Sequence, residues 1–167
     1  MTFATLILAL VTVQRLGELV LARRNTRRLL AAGAVEVAPG HYPGIIAVHA
    51  LWLAGLWYFA WNAPVQPVWL ALFGLLQLLR VWVIATLGPR WTTRIIIAPG
   101  RPLVATGPYR WLSHPNYVVV ASEIAVLPLT FHLPWFALLF SALNAAILVV
   151  RIRAENRALA VGPAVPV

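Results

Sequence analysis

The chain has no cysteine, no lysine, no aspartate and only four glutamates. Without cysteine there is no disulfide, no thiolate nucleophile and no cysteine-ligated zinc or iron–sulfur centre. Without lysine there is no P-loop lysine and no Schiff-base chemistry. Glu18, Glu36, Glu123 and Glu155 are too sparse for a two-metal or magnesium–phosphate site. The histidines His41, His49, His114 and His132 lack His-Glu-x-x-His spacing, and no Gly-x-Ser-x-Gly marks a serine nucleophile. No metal is expected. Charge is scarce as well: 10% of the residues are charged and 62% are hydrophobic, against roughly 25% charged in soluble domains. The composition fits neither a water-solvated surface nor a disordered chain. It describes one integral membrane domain over residues 1–167.

What is present is arginine, thirteen of them, giving a formal net charge of +9. Such a balance can signal phosphate binding. Here the arginines sort instead by their position relative to apolar runs, so no nucleic acid is expected as a partner. A helix needs about 20 apolar residues to cross the hydrocarbon core. Five runs qualify: Phe3–Ala22, Gly44–Trp61, Val68–Leu87, the shorter Tyr117–Leu129, and Pro134–Val150. The fourth is expected to borrow from the loop before it or to sit in protein rather than lipid. Prolines fall in the connections and at span ends, with Pro128 alone ambiguous. The fold class is therefore an all-α bundle of about five transmembrane helices.

Arg23, Arg24, Arg27 and Arg28 follow the first run; Arg90, Arg94, Arg101 and Arg110 lie between the third and fourth; Arg151, Arg153 and Arg157 follow the fifth. Residues 62–67 and 130–133 carry no charge. The positive-inside rule then puts the N-terminus outside and the C-terminus in the cytoplasm. No basic segment precedes the first run, which reads as a retained anchor. The loops facing the cytoplasm are the long ones, and functional residues are expected there. Within residues 94–106, two β-rich stretches flank Pro99-Gly100 and predict a short β-hairpin at the membrane surface.

Four charges lie inside the apolar runs. Arg80 and Glu123 sit roughly 10–12 Å below the cytoplasmic boundary, and Arg15 and Glu18 lie at similar depth. Each costs about 2.5–3.5 kcal/mol on insertion, so each needs a partner or a cavity. A polar pocket open to the cytoplasm is one reading; a structural Arg80–Glu123 pair that pins the bundle is the other. Arg15 and Glu18, at i,i+3, suit a local ion pair. Gln77 adds a polar group one turn before Arg80.

The densest polar stretch runs from Gly107 to Tyr117, and Arg151, Glu155 and Asn156 come after the last span. Pro115 suits the first turn of a helix, whose free N–H groups favour negative charge. Arg151 and Glu155, four apart on one helix face, can pair or face a ligand together. His114 can simply cap the helix. Taken together these residues resemble the isoprenylcysteine carboxyl methyltransferase family, whose pattern is Gly-x-Tyr, then Arg-His-Pro-x-Tyr, then an Arg with a Glu-Glu pair. The matching residues are Gly107-Pro108-Tyr109, Ser113-His114-Pro115-Asn116-Tyr117, and Arg151 with Glu155-Asn156. The likeness covers roughly Gln77 to Leu159. Upstream, Gln14-Arg15, Asn25, Gly33-Ala34, Glu36 and His41-Tyr42 are similar to small bacterial members, some of them associated with type III polyketide synthases.

The resemblance implies an S-adenosylmethionine-dependent O-methyltransferase in a bacterial plasma membrane, with a cofactor-binding core of about 77–159. Tyr109, His114, Pro115, Asn116, Tyr117, Glu155 and Asn156 would contact the cofactor from the cytoplasmic side. Ser113 stands where the family has Arg, and Asn156 where it has the second Glu, which removes a cation and a carboxylate from those positions. The acceptor would be lipophilic, entering from the bilayer among membrane lipids. It would be either the carboxylate of an isoprenylated cysteine or a hydroxyl of an alkylpyrone or alkylresorcinol. Arg151 or Arg80 would orient its head; a hydroxyl would also need a base, for which His114 or Glu123 is available. Two other classes stay open. Pro115-Asn116-Tyr117 also matches NADPH-dependent sterol-type membrane reductases, although Val118-Val119-Val120 departs from their continuation, and a non-enzymatic scaffold or carrier would leave the buried charges without chemistry.

Overall fold

The computed structural model describes residues 2–100 and 102–161, so Arg101 lies outside the described residues. Five α-helices form the bundle: α1 (Phe3–Ala31), α2 (Tyr42–Ala60), α3 (Pro67–Leu87), α4 (Pro115–Thr130) and α5 (Pro134–Val161). α1, α2, α3 and α5 are long and apolar enough to cross a membrane. Proline stands in the first turn of α2, α3 and α4 and opens α5, where its missing N–H would have had no helical partner anyway. The outward faces carry large apolar side chains, among them Leu10, Val13, Val68, Leu78 and Trp135, each more than half exposed. That surface suits hydrocarbon as its solvent.

α1 and α5 run well past their apolar stretches, carrying Arg23–Arg28 and Arg151–Arg157 as continuous helix. Arginine is a good helix former, so nothing at the hydrocarbon boundary stops the helix. α1 ends instead at Gly33, whose φ of +84° lets the Ala34 N–H reach back to the Leu29 carbonyl at 3.0 Å.

α4 has 16 residues, about 24 Å at 1.5 Å per residue and short of a ~30 Å core. It is wrapped by protein: Glu123, Ile124, Val126, Leu127, Pro128 and Thr130 are all buried. Pro128 lies inside the helix and cannot donate to the Ile124 carbonyl one turn back. The Trp52 indole of α2 donates to that carbonyl instead, at 3.3 Å. α2 can approach α5 because Gly55 leaves room for the Phe136 ring, which would lie 2.6 Å from any Cβ there.

The four buried charges converge in one knot between α1, α3 and α4. Arg15 pairs with Glu18 at 3.0 Å and with Glu123 at 2.9 Å; Arg80 pairs with Glu18 at 2.5 Å and with Glu123 at 2.8 Å. Gln77 donates to Glu123 at 2.8 Å and accepts from Gln14 at 2.8 Å, and Gln14 also reaches Glu18 at 3.0 Å. Arg15–Glu18 is thus a local pair, as the spacing predicts, but it is half of a larger circuit. Its charges sum to zero, which is the condition for holding them in an apolar bundle. Instead of lining an open pocket, the four groups occupy one another: Glu123 is 1% exposed and Arg80 5%.

The predicted hairpin is corrected. β2 (Ile96–Ile97) pairs antiparallel with β1 (Val35–Glu36), with Val35 opposite Ile97 and Glu36 opposite Ile96. The stretch from Pro102 has no N–H at its first position to offer a ladder. The Pro102 carbonyl instead takes a 2.6 Å hydrogen bond from Arg90.

Removing one carboxylate from the knot leaves two guanidinium groups facing one. Glu123→Ala should cost about 3–5 kcal/mol and lower the unfolding temperature in detergent micelles. The charge-balanced pair Arg15→Gln with Glu123→Gln should recover much of that loss. Equal destabilisation of the single and the double variant would contradict the circuit.

Candidate functional site

The arginine-rich end of the bundle holds the motif residues. The 3-10 turn Gly107–Arg110 sits against the end of α3, where Gly107 has a φ of +55°. A Cβ on it would lie 2.6 Å from the Thr86 hydroxyl and 3.2 Å from the Trp82 indole nitrogen, so this close approach needs glycine. Pro108 is buried beneath the turn. Three exposed residues, Trp111, Leu112 and Ser113, lead to His114 and to the buried Pro115 that starts α4. The His114 side chain makes no capping bond to the helix. Its ring stacks on Tyr117 instead, with centroids 5.1 Å apart and planes 16° from parallel.

Tyr117 is the junction of the site. Its hydroxyl donates to the Glu155 carboxylate through a short hydrogen bond and accepts one from Arg151 Nε at 2.7 Å. Arg151 and Glu155, one turn apart on α5, are therefore joined through a tyrosine on α4. The Arg151 guanidinium also lies over the Tyr117 ring, 5.3 Å from its centroid, and is 7% exposed. A second donor of Arg151, Nη1, reaches the Thr93 carbonyl at 2.7 Å. His114 Nδ1 stands 3.9 Å from Glu155, beyond hydrogen-bond distance.

Two further groups belong to the same end of the bundle. The Asn116 Oδ1 is buried with no hydrogen-bond partner among the described residues, a costly state unless a ligand or water supplies a donor. Burial, and after it the Glu155 charge, push the Tyr109 phenol up to about 12. Carboxylate, stacked rings and an unpartnered carbonyl oxygen make a place for a cationic ligand rich in donors. Tyr109, His114, Pro115, Asn116, Tyr117, Arg151 and Glu155 thus share one end of the bundle. Asn156 is exposed and makes none of the hydrogen bonds just described. Arg80 and Glu123 lie in the knot, and no hydrogen bond joins knot and site among the described residues. A groove of about 460 Å³ opens beside the site, between residues 86–90 and 102–106.

Sequence reasoning missed the support beneath Arg151. Thr93 acts through its backbone carbonyl, which no side-chain pattern announces. Its hydroxyl meets the Tyr42 hydroxyl at 2.9 Å, the Arg94 guanidinium covers the Tyr42 ring at 4.5 Å, and Arg94 grips both Glu36 oxygens at 2.7 and 2.9 Å. Asn25 of α1 fixes the same segment from below, donating to the carbonyls of Gly88 at 3.2 Å and Trp91 at 2.8 Å.

Residues 69–161 match the isoprenylcysteine carboxyl methyltransferase family. The chain is also 40% identical over 159 residues to the uncharacterized protein YpbQ of Bacillus subtilis (strain 168), covering 92% of this chain and 95% of that protein. No solved structure matches it. The matched segment takes in α4, most of α3, α5 and every motif residue of the Tyr117 junction, and the chain belongs to the isoprenylcysteine carboxyl methyltransferase family.

Proposed function

We propose that the protein is an S-adenosylmethionine-dependent O-methyltransferase acting on a lipophilic acceptor at the membrane boundary. The observation that carries this reading is the Tyr117 hydroxyl bridging Arg151 and Glu155 at the head of α4, built from the residues that the family match contains. Such a cofactor would supply an electrophilic methyl group on a sulfonium: an acceptor oxygen would bond to that carbon in line as the carbon–sulfur bond breaks and the thioether leaves. Such a displacement needs alignment more than covalent help, and alignment alone is worth several kcal/mol.

The residues divide by charge. Glu155, the stacked His114 and Tyr117 rings and the free Asn116 Oδ1 suit the cationic, donor-bearing side of the cofactor; Tyr109 closes that side as a protonated phenol that donates. Arg151, with donors left over, suits the acceptor, either the carboxylate of an isoprenylated cysteine or the hydroxyl of an alkylpyrone or alkylresorcinol. Glu123 is a poor base here, because Gln77 occupies one oxygen while Arg15 and Arg80 occupy the other. Arg80 and Glu123 are therefore assigned to holding the bundle, and His114 remains the base for a hydroxyl acceptor. The arginines at one end favour an orientation with that end in the cytoplasm and the N-terminus outside. A water-soluble cofactor then meets a bilayer-borne acceptor where both can reach.

Calorimetry on detergent-purified protein tests the reading. S-adenosylmethionine and its demethylated product should bind saturably, and Glu155→Ala should weaken both by at least about tenfold, the loss of one charge-assisted contact. Binding of NADPH alone would replace the methyltransferase with a reductase.

The Tyr109 phenol should stay protonated until the pH approaches 12. With its folded value raised above the unfolded 10.0, it stabilises the fold below pH 10, and that contribution disappears as pH rises toward 12. Labelled-tyrosine NMR should show this resonance titrating well above pH 10, and earlier in Glu155→Gln. Titration near 10 with no effect of Glu155→Gln would contradict the placement of Tyr109 beside Glu155.

A further inference from the structure

We infer that Glu36, Tyr42 and Arg94 form a brace that positions Arg151 for the acceptor, acting through the backbone carbonyl of Thr93. The inference rests on the reading of Arg151 as the acceptor-side group, and adds to it residues that stand outside the family-matched segment: Glu36 and Tyr42 precede residue 69.

A guanidinium held by one hydrogen bond can still turn about it. Arg151 is held by two, Nε on the Tyr117 hydroxyl and Nη1 on the Thr93 carbonyl, both at 2.7 Å. Two contacts through different nitrogens of the planar group fix its orientation. Of its five N–H donors, three then remain without a protein partner among the described residues, including both on Nη2. That free edge is what an acceptor oxygen would meet.

The Tyr117 contact is anchored by α4, but the Thr93 contact belongs to a connection outside any regular element. Its rigidity has to come from elsewhere. Tyr42, the first residue of α2, bonds the Thr93 hydroxyl at 2.9 Å and is capped by the Arg94 guanidinium at 4.5 Å. Arg94 is in turn fixed by both oxygens of Glu36. Glu36 sits on β1, paired to β2, which starts two residues after Arg94, and the Val37 N–H closes the ribbon on the Ile95 carbonyl at 2.9 Å. The Arg94–Glu36 pair is partly exposed and adds little stability as an ion pair. Its use is direction: it clamps Tyr42 from one side while α2 holds it from the other.

The test uses the full chain in detergent micelles and two readouts. The first is the Arg151 Nε–H resonance in ¹⁵N-arginine NMR, assigned by its loss in Arg151→Lys. Tyr42→Phe and Glu36→Gln should each shift or broaden it; an unchanged resonance in both overturns the brace whatever the acceptor proves to be. The second is methyl transfer to farnesylated N-acetylcysteine and to a long-chain 4-hydroxy-2-pyrone. Tyr42→Phe should lower kcat about tenfold with affinity for the demethylated cofactor unchanged, since misplacement costs turnover rather than binding. In an Arg151→Ala background the same change should have no further effect. Additive losses in both backgrounds, or cofactor affinity falling in step with kcat, would show a merely structural Tyr42 and overturn the proposal. Failure of the unaltered protein to bind the demethylated cofactor would instead overturn the methyltransferase reading, while the Nε–H result still decides the brace.

Discussion

Hydrocarbon cannot solvate a charge, so the two arginines and two glutamates within this bundle have to neutralise one another. They do so in a single circuit, Arg15 and Arg80 each touching both Glu18 and Glu123. Such a circuit closes in one alignment of α1, α3 and α4 and opens if any of the three slides by a turn. Apolar packing alone would tolerate such a slide, since lipid tails are as apolar as the helix faces. The knot therefore sets the height of α4 in the bundle. Everything at the head of α4 inherits that height.

The inheritance matters because α4 is short. Its first turn, with Pro115, Asn116 and Tyr117, starts inside the protein, flanked by the helical extension of α5 that carries Arg151 and Glu155. Tyr117 meets both side chains of that extension at once, and the 3-10 turn at Gly107 packs against the end of α3, near Thr86 and Trp82. The site is thus assembled where apolar helices give way to arginine-rich helix. Under the proposed function, that boundary is where a polar cofactor and a bilayer-borne acceptor would meet.

Much of this was legible in the chain. The five helices follow from apolar length and proline placement, because helix interiors exclude proline and hydrocarbon excludes polar residues; four of them are long enough to cross a membrane. The equal depth of Arg15, Glu18, Arg80 and Glu123 announced a shared environment, although depth along a helix does not say which faces meet. The Tyr117 cluster followed from the motif rather than from any local pattern. The extensions of α1 and α5 were not legible, since arginine ends an apolar run without ending a helix. Nearness in sequence favours residues 102–106 as the partner of Ile96–Ile97, but Pro102 has no N–H to offer, and the strand pairs with Val35–Glu36 instead. The Thr93 carbonyl could not have been found at all, because a backbone acceptor looks the same at every residue.

Whether the Tyr117 junction holds the methyl donor is decided most directly by ultraviolet cross-linking of S-adenosylmethionine labelled in its methyl group, followed by peptide mapping. Label is expected on residues 107–117 and 151–157, competed away by the demethylated cofactor. Label confined to the knot around Arg80 and Glu123, or label that the demethylated cofactor fails to displace, would contradict it.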